Sequence, residues 1–486
     1  MLAMTPAMNS LAMMTLTLTP EASENSRTVQ GTAMENSVTP EMSSSSDERM
    51  RRRVSWPSCS TVSSPGPALP GAPRPPRSGP RLGPPGPRLG PPGPRPGRPL
   101  ANQAFLKALL THGRFEAYHF FCPDLNHGEK FRERLERLVP DAKARERVQT
   151  SLHVALAETL REKDFDVFHQ GDFANSMPYL IGLRNRLARV PFPITGVTHS
   201  IDGILTNTRY LELILAGLAP YDGIVCPTPG AQRALEKGLG WVGKQLRERT
   251  GVAFHSPARL GMIPFGIDDV FFQEEDRKQA RAFFHIPQDL VVALSVGRIS
   301  IRHKADLAPV VELLARMEAR KELRNLVFII AGGGQASDTA LLETMVGQAG
   351  LQKKVFLFPN FQPEVKRKLY RAADFFLSVV DNFQEMFSLS ILEAMASGLP
   401  VILSDFSGYR DLITEGKEGF LLPTTWTEEL PDFLAENLGI LDPSMARLYL
   451  SQMVAVDVER LRSALLWLGG DVNLRARMGA AARARA

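Results

Sequence analysis

Short apolar runs alternate with longer amphipathic stretches twice along this 486-residue chain, and that alternation limits its fold more than any other feature. In the first series, the runs at 115–122, 166–169, 194–199, 223–227 and 260–264 read as strands. Helical spacing lies between them, at 130–137, 155–162, 176–188, 207–216 and 229–237. After a polar stretch at 268–288 the pattern restarts, with strands expected at 291–296, 326–331, 355–358, 375–379, 401–404 and 419–422. Helices are expected between these at 307–319, 338–348, 363–371 and 388–395. Short apolar strands separated by helices build parallel sheets that are covered on both faces. The predicted class is therefore α/β, with two doubly wound, Rossmann-like domains, 100–267 and 268–486, facing a cleft. Ligands of such sheets sit at the carboxyl ends of the strands, so the residues just after each run are the candidates for chemistry.

The first hundred residues break the pattern. Residues 65–99 are mostly Pro, Gly and Arg, and the heptad PRLGPPG stands at 80–86 and again at 87–93. Its glycines fall at alternating spacings of four and three, which a collagen helix does not accept. Segment 1–99 has little to bury and is expected to be disordered. It also holds all of the excess charge. The chain carries 57 Lys+Arg against 52 Asp+Glu, net +5, of which residues 1–100 contribute 11 basic and six acidic groups. The other 386 residues are balanced at 46 and 46, so no nucleic-acid partner is expected for the folded part. A scaffold acting through the basic Pro-rich arm is the alternative of a different class. A helix at 100–112, closed by Gly113, opens the folded region. Cys59, Cys122 and Cys226 are too scattered for a metal knuckle or a disulfide framework, which fits a reducing, cytoplasmic compartment. No apolar run approaches 18 residues, and the Met-rich start is a poor signal peptide, so neither a spanning helix nor a leader is expected.

The segment richest in chemistry is EMFSLSILEAMASGLPVILSD, Glu385 to Asp405. Glu385 lies in the loop after the strand at 375–379, and Glu393 lies in the helix that follows. The start of that helix, at Phe387, Ser388 and Leu389, offers backbone N–H groups to a phosphate. Two carboxylates framing such a helix start suit a ligand with hydroxyls at both ends and phosphate in the middle, the shape of a nucleotide sugar.

This segment resembles the E-x7-E signature of the retaining glycosyltransferases of the GT-B fold, specifically the group 1 (family 4) class. Similarity extends to Ser295-Val296-Gly297-Arg298-Ile299-Ser300 with Lys304, to Ile330-Ala331-Gly332-Gly333-Gly334, to Ala372-Ala373-Asp374-Phe375 and to Ile263-Pro264-Phe265-Gly266-Ile267-Asp268 between the domains. The resemblance implies that Arg298 and Lys304 grip the donor diphosphate and that Gly333 lies in the glycine turn beside it. It implies that Glu393 accepts ribose hydroxyls and that Glu385 lies near the sugar ring. His199, at a strand end of the first domain, would reach the sugar or its departing phosphate, and His169 would lie on the acceptor side. The donor is then a nucleoside-diphosphate sugar, with no cofactor and no metal, since no Asp-x-Asp stands at a strand end. The acceptor is a glycan, a lipid-linked or a small molecule, and peripheral membrane contact is left open. A nucleotide-sugar-binding protein of this fold without turnover is the other reading.

Three departures from the family pattern follow. Ser388 stands where a glycine is usual. The chain stops at Ala486, where the family continues with a helix crossing back to the first domain. The proline repeat precedes the helix at 100–112, where the family has its first strand and a glycine loop. The expectation is a rearranged N-terminus lacking that strand, and a shortened C-terminus.

Overall fold

Strands too short and apolar to stand at a water-facing edge need neighbours on both sides, and both halves of the chain satisfy this by winding outward from a central pair. A computed structural model describes residues 13–18, 97–200, 206–254, 258–383, 385–427 and 429–486. The first domain contains β1 (Met13–Leu18), α1 (Gly97–His112), β2 (Phe115–Cys122), α2 (Leu125–Leu138), α3 (Ala142–Glu146), β3 (Val148–Leu152) and α4 (Leu156–Glu162). It continues through β4 (Val167–Gln170), α5 (Phe173–Leu187), β5 (Ile194–Val197), α6 (Thr206–Leu215), β6 (Gly223–Cys226), α7 (Pro229–Thr250) and β7 (Arg259–Met262). The strand order is β3-β2-β1-β4-β5-β6-β7.

The second domain runs from α8 (Arg277–Phe283) through β8 (Val291–Val296), α9 (Ala308–Ala319), β9 (Leu326–Gly332), α10 (Ala336–Gln348), β10 (Val355–Pro359) and α11 (Pro363–Ala372). Next come β11 (Phe375–Ser378), α12 (Leu389–Ala396), β12 (Val401–Ser404), β13 (Gly419–Leu422), β14 (Thr424–Trp426), α13 (Asp432–Asn437) and α14 (Pro443–Ser451). β15 (Val454–Val456), α15 (Val458–Gly470) and α16 (Val472–Arg485) close it. Its parallel sheet has the order β10-β9-β8-β11-β12-β13, which places the topological switch point between β8 and β11.

The two-residue period of the strands sorts their side chains onto two buried faces. Val292, Leu294, Val296 and Phe376 pack on one face with Ile391 and Met395 of α12. Ala293, Phe375 and Leu377 pack on the other with Leu313 and Leu314 of α9 and Leu461 of α15. α16 lies on α12, where a Cβ on Gly479 would come within 2.2 Å of the Gly398 carbonyl oxygen, and Arg483 donates to the Ala396 carbonyl at 2.7 Å.

Two expectations change. The polar run Val148–Leu152 forms the edge strand β3, where the sequence pattern shows no strand, because one covered side suffices at an edge. The slot between β2 and β4, expected to be missing its strand, is filled by β1, which runs antiparallel to both neighbours. MMTLTL is long enough to satisfy six positions of the ladder, but its reversed direction sends its carboxyl end to the edge away from the cleft. The slot is occupied, by a strand opposite in direction to β2 and β4. Apart from residues 13–18 and 97–99, the segment expected to be disordered lies outside the described residues. Among the described residues no helix is long and apolar enough to cross a membrane.

Each sheet is tied at its amino edge by an aspartate. Asp222, just before β6, accepts from Arg184 Nη2 at 2.9 Å and from the N–H groups of Ile194 and Ala219, both at 2.8 Å. Asp374, just before β11, accepts from Arg281 Nη2 at 2.7 Å, from Arg277 Nη2 at 2.6 Å and from the Val292 N–H at 2.8 Å. Arg184 and Asp222 are almost completely buried, so removing one strands the other's charge in the core. Asp222→Ala should therefore lower the unfolding free energy by about 3–5 kcal/mol in urea titration.

Candidate functional site

The site grows from the carboxyl ends of β8 and β11, the two strands at the switch point. After β8 the chain passes so close to the end of β9 that only glycine fits. A Cβ on Gly332 would lie 1.5 Å from the Gly297 carbonyl oxygen, and one on Gly334 would lie 2.7 Å from that of Ile299. The Ile299 N–H donates to the Gly333 carbonyl at 2.9 Å, which ties Arg298 to the glycine turn. A tight turn follows, in which the N–H groups of Lys304 and Ala305 donate to the Ser300 carbonyl at 3.0 and 3.2 Å. It folds the Lys304 side chain back over Gly297. Arg298 stays exposed, with no carboxylate partner among the described residues.

Lys304 Nζ donates to Glu385 Oε2 at 2.8 Å and to the Tyr409 hydroxyl at 2.7 Å. The Tyr409 hydroxyl also receives Ser378 Oγ at 3.2 Å and turns its own hydrogen toward Glu385 Oε2 at 3.4 Å. Burial opposes the charge on Lys304, but the Glu385 carboxylate and Tyr409 outweigh it and hold the amine's pKa above the ordinary lysine value. Burial also raises the Tyr409 phenol, which stays neutral beside them. Tyr409 gets there because Gly408 crosses the signature loop backbone to backbone: a Cβ on it would lie 1.7 Å from the Met386 carbonyl oxygen.

Helix α12 begins at Leu389 with Ser388 as its N-cap, at φ −125 and ψ 110. That is extended backbone at negative φ, so the glycine usual at this position is not required and serine fits without strain. Phe387 meets Phe265 edge to face, with centroids 5.2 Å apart, and Phe265 stacks on the His199 ring at 5.1 Å. These rings join the first domain, the interdomain segment and the signature helix. His199 Nε2 lies 2.7 Å from the Gly171 carbonyl and 3.1 Å from Asn102 Oδ1, which makes Nε2 the protonated nitrogen. His169 holds Thr195 Oγ1 at 2.9 Å through Nδ1; burial, aided by His199, lowers its pKa to about 4, so it is neutral.

Glu393 lies apart from the Lys304 cluster. It is buried, receives Lys366 Nζ at 2.8 Å and the Tyr370 hydroxyl at 2.8 Å, and shares no partner with the Lys304 cluster. Lys366 and Tyr370 are one turn apart on α11 and present a single face to it. The structure thus brings Lys304 and Glu385 together with Arg298 and Gly333 in the adjoining loop, and sets Phe387 beside Phe265 and His199. It commits Glu393 to α11. Sequence reasoning missed Tyr409, Asn102 and Asp381. The last is 7% exposed, lies between β11 and Glu385, and has its pKa pushed up to about 7, chiefly by burial.

Residues 276–438 match the family model "Glycosyl transferases group 1". The D-inositol 3-phosphate glycosyltransferase of Mycobacteroides abscessus is 30% identical over 192 residues, 38% of this chain and 41% of that protein. That of Mycobacterium bovis is 28% identical over 261 residues, 52% of this chain and 50% of that protein. The chain therefore spans about half the length, or less, of these curated relatives. Among solved structures, a glycosyltransferase from Rickettsia africae superposes with a TM-score of 0.52 at 14% identity, covering 80% of this chain and 89% of that one. HepE of Anabaena, solved with UDP and glucose, superposes with a TM-score of 0.50 at 14% identity, covering 79% and 90%. The two-domain fold is thus GT-B.

Asp381 makes a test of the site's electrostatics. A carboxyl with a raised folded pKa is protonated in both states at low pH, and its ionisation as the pH rises to about 7 weakens the native state. The Asp381→Asn protein should therefore gain on the wild type, by up to about 4 kcal/mol, between pH 4 and 8. Paired urea titrations across that range measure the difference, and a pH-independent difference would contradict the buried acid.

Proposed function

We propose that this chain, whose second domain is a group 1 glycosyl transferase domain on a GT-B scaffold, moves a sugar from a nucleoside diphosphate to an acceptor with retention and without a metal. The observation that carries this reading is the meeting of Lys304 and Glu385 at the switch point of the matched domain. As the nucleoside diphosphate departs, negative charge grows on its bridging oxygen. A charged Lys304 and the Arg298 fork placed there stabilise the transition state more than the ground state. They take up the charge that a metal would otherwise meet.

A bound diphosphate competes with Glu385 for the Lys304 amine. Exchange of that contact frees a Glu385 oxygen for a sugar hydroxyl or for the oxocarbenium-like carbon. The turn at Gly333 and the N-terminus of α12 at Phe387, Ser388 and Leu389 take the phosphates. Glu393 has lone pairs left by Lys366 and Tyr370 for ribose hydroxyls. His199 serves the sugar from the first domain, and His169 is a neutral group on the acceptor side. Closure about residues 265–290 excludes water, and the acceptor attacks from the face the diphosphate leaves. The acceptor is a glycan, a lipid-linked or a small molecule, with peripheral membrane contact where it is lipid-linked. The setting is the reducing cytoplasm, where the buried thiols of Cys122 and Cys226 stay free.

One observation favours a binding protein without turnover: β1 is antiparallel to β2 and β4, so its carboxyl end at Leu18 lies at the edge away from the cleft. Incubation with a panel of nucleotide sugars separates the readings. It is run with and without EDTA and with acceptors that include an inositol phosphate. Diphosphate release that survives EDTA is expected, and Lys304→Ala should lower kcat/KM by about 10²–10³-fold. Binding by thermal shift without any release would leave the binding protein standing. A fully active Lys304→Ala/Glu385→Gln protein would remove the site.

A further inference from the structure

Between β11 and Glu385 the chain presents Asp381 and Asn382 in succession, 7% and 1% exposed. Each directs its side chain to the main chain of the basic turn. Asp381 Oδ2 accepts the N–H of Asp306 at 2.9 Å, and Asn382 Nδ2 donates to the carbonyl of Arg302 at 3.0 Å. Lys304 lies midway between those two anchors. The loop that carries Glu385 therefore also grips the turn that carries Lys304, on both sides of it.

The grip matters because Lys304 and Glu385 are 81 residues apart, and a lysine stem has four rotatable bonds. An amine on a mobile turn would spread over several positions, whereas transition-state stabilisation needs the charge in place before reaction. Asp306 in turn receives the Ala308 N–H at 2.9 Å, so the anchored residue is also tied to the first residue of α9 and passes the constraint into that helix. Asp381 keeps its other oxygen, Oδ1, buried without a hydrogen-bond partner, a cost that stability alone does not explain.

We propose that Asp381 and Asn382 are positioning residues of the donor site, clamping the basic turn at Asp306 and Arg302 so that Lys304 stays fixed for the donor diphosphate. The role rests on the reading of Lys304 and Glu385 as that site. Neither residue touches substrate; both act through the turn.

The test compares Asp381→Ala, Asp381→Asn and Asn382→Ala with wild type. Donor KM and kcat are read in the diphosphate-release assay, and amide hydrogen exchange is followed across residues 300–306. Asp381→Ala should raise donor KM about tenfold with a smaller change in kcat, and should speed exchange in the turn. Asp381→Asn, which keeps an oxygen for the Asp306 N–H, should recover most of the affinity. Asn382→Ala, which releases the Arg302 carbonyl, should raise KM about threefold and keeps the test open if Asp381→Ala does not fold. Unchanged KM in Asp381→Ala or Asn382→Ala, or an Asp381→Asn protein as impaired as Asp381→Ala, would overturn the clamp while leaving the donor site intact. Failure of the wild type to bind or turn over any nucleotide sugar would remove the donor reading and the clamp with it.

Discussion

Asp222 and Asp374 perform the same operation in the two domains. Each stands immediately before a strand, accepts an N–H from the first two residues of a neighbouring strand, and neutralises a buried arginine from a helix. A parallel sheet leaves its terminal backbone groups unpaired at both edges, and these carboxylates satisfy the amino edge from within. Once that edge is closed, the loops at the carboxyl edge can differ freely without loosening the sheet. The Lys304 turn, the glycine turn and the signature loop are all at that edge.

At the carboxyl edge the controlling constraint is steric. Gly332 against Gly297 and Gly408 against Met386 let main chain approach main chain more closely than any side chain permits. The first contact sets where Arg298 and Lys304 leave the sheet, and the second brings Tyr409 under Glu385. Electrostatics then decide the protonation states. The amine is held charged, the phenol is held neutral, and the nearby Asp381 carboxyl is pushed toward neutrality.

The same loop meets the first domain. Thr228 Oγ1 donates to the Met386 carbonyl at 3.4 Å, and Asp411 Oδ2 accepts the Gly230 N–H at 2.9 Å, placing a carboxylate at the positive end of α7. With the His199, Phe265 and Phe387 rings, these contacts place the domain junction beside Glu385. The loop that carries Glu385 is thereby in contact with the first domain.

Much of this was legible in residue order. Two rounds of strand and helix, the glycines at the ends of β8 and β9, and the charged residues just beyond β8 are local patterns, and the chain's own periodicity sets them. The E-x7-E spacing located both glutamates, and the negative φ at Ser388 shows why serine can stand there. Other features have no local signature. MMTLTL reads like any short polar–apolar run until a ladder receives it, and its direction depends on the neighbours. Tyr409 lies 24 residues after Glu385, Lys366 lies 27 before Glu393, and Asp381 lies 75 after Asp306. The sequence by itself determined which groups stand at strand ends and helix starts, because backbone propensity and hydrophobic period act over a few residues. Only the tertiary structure decided which charges meet, since strand order and close backbone contacts fix those distances. That is why Glu385 faces Lys304 of the turn after β8 while Glu393 is held by α11.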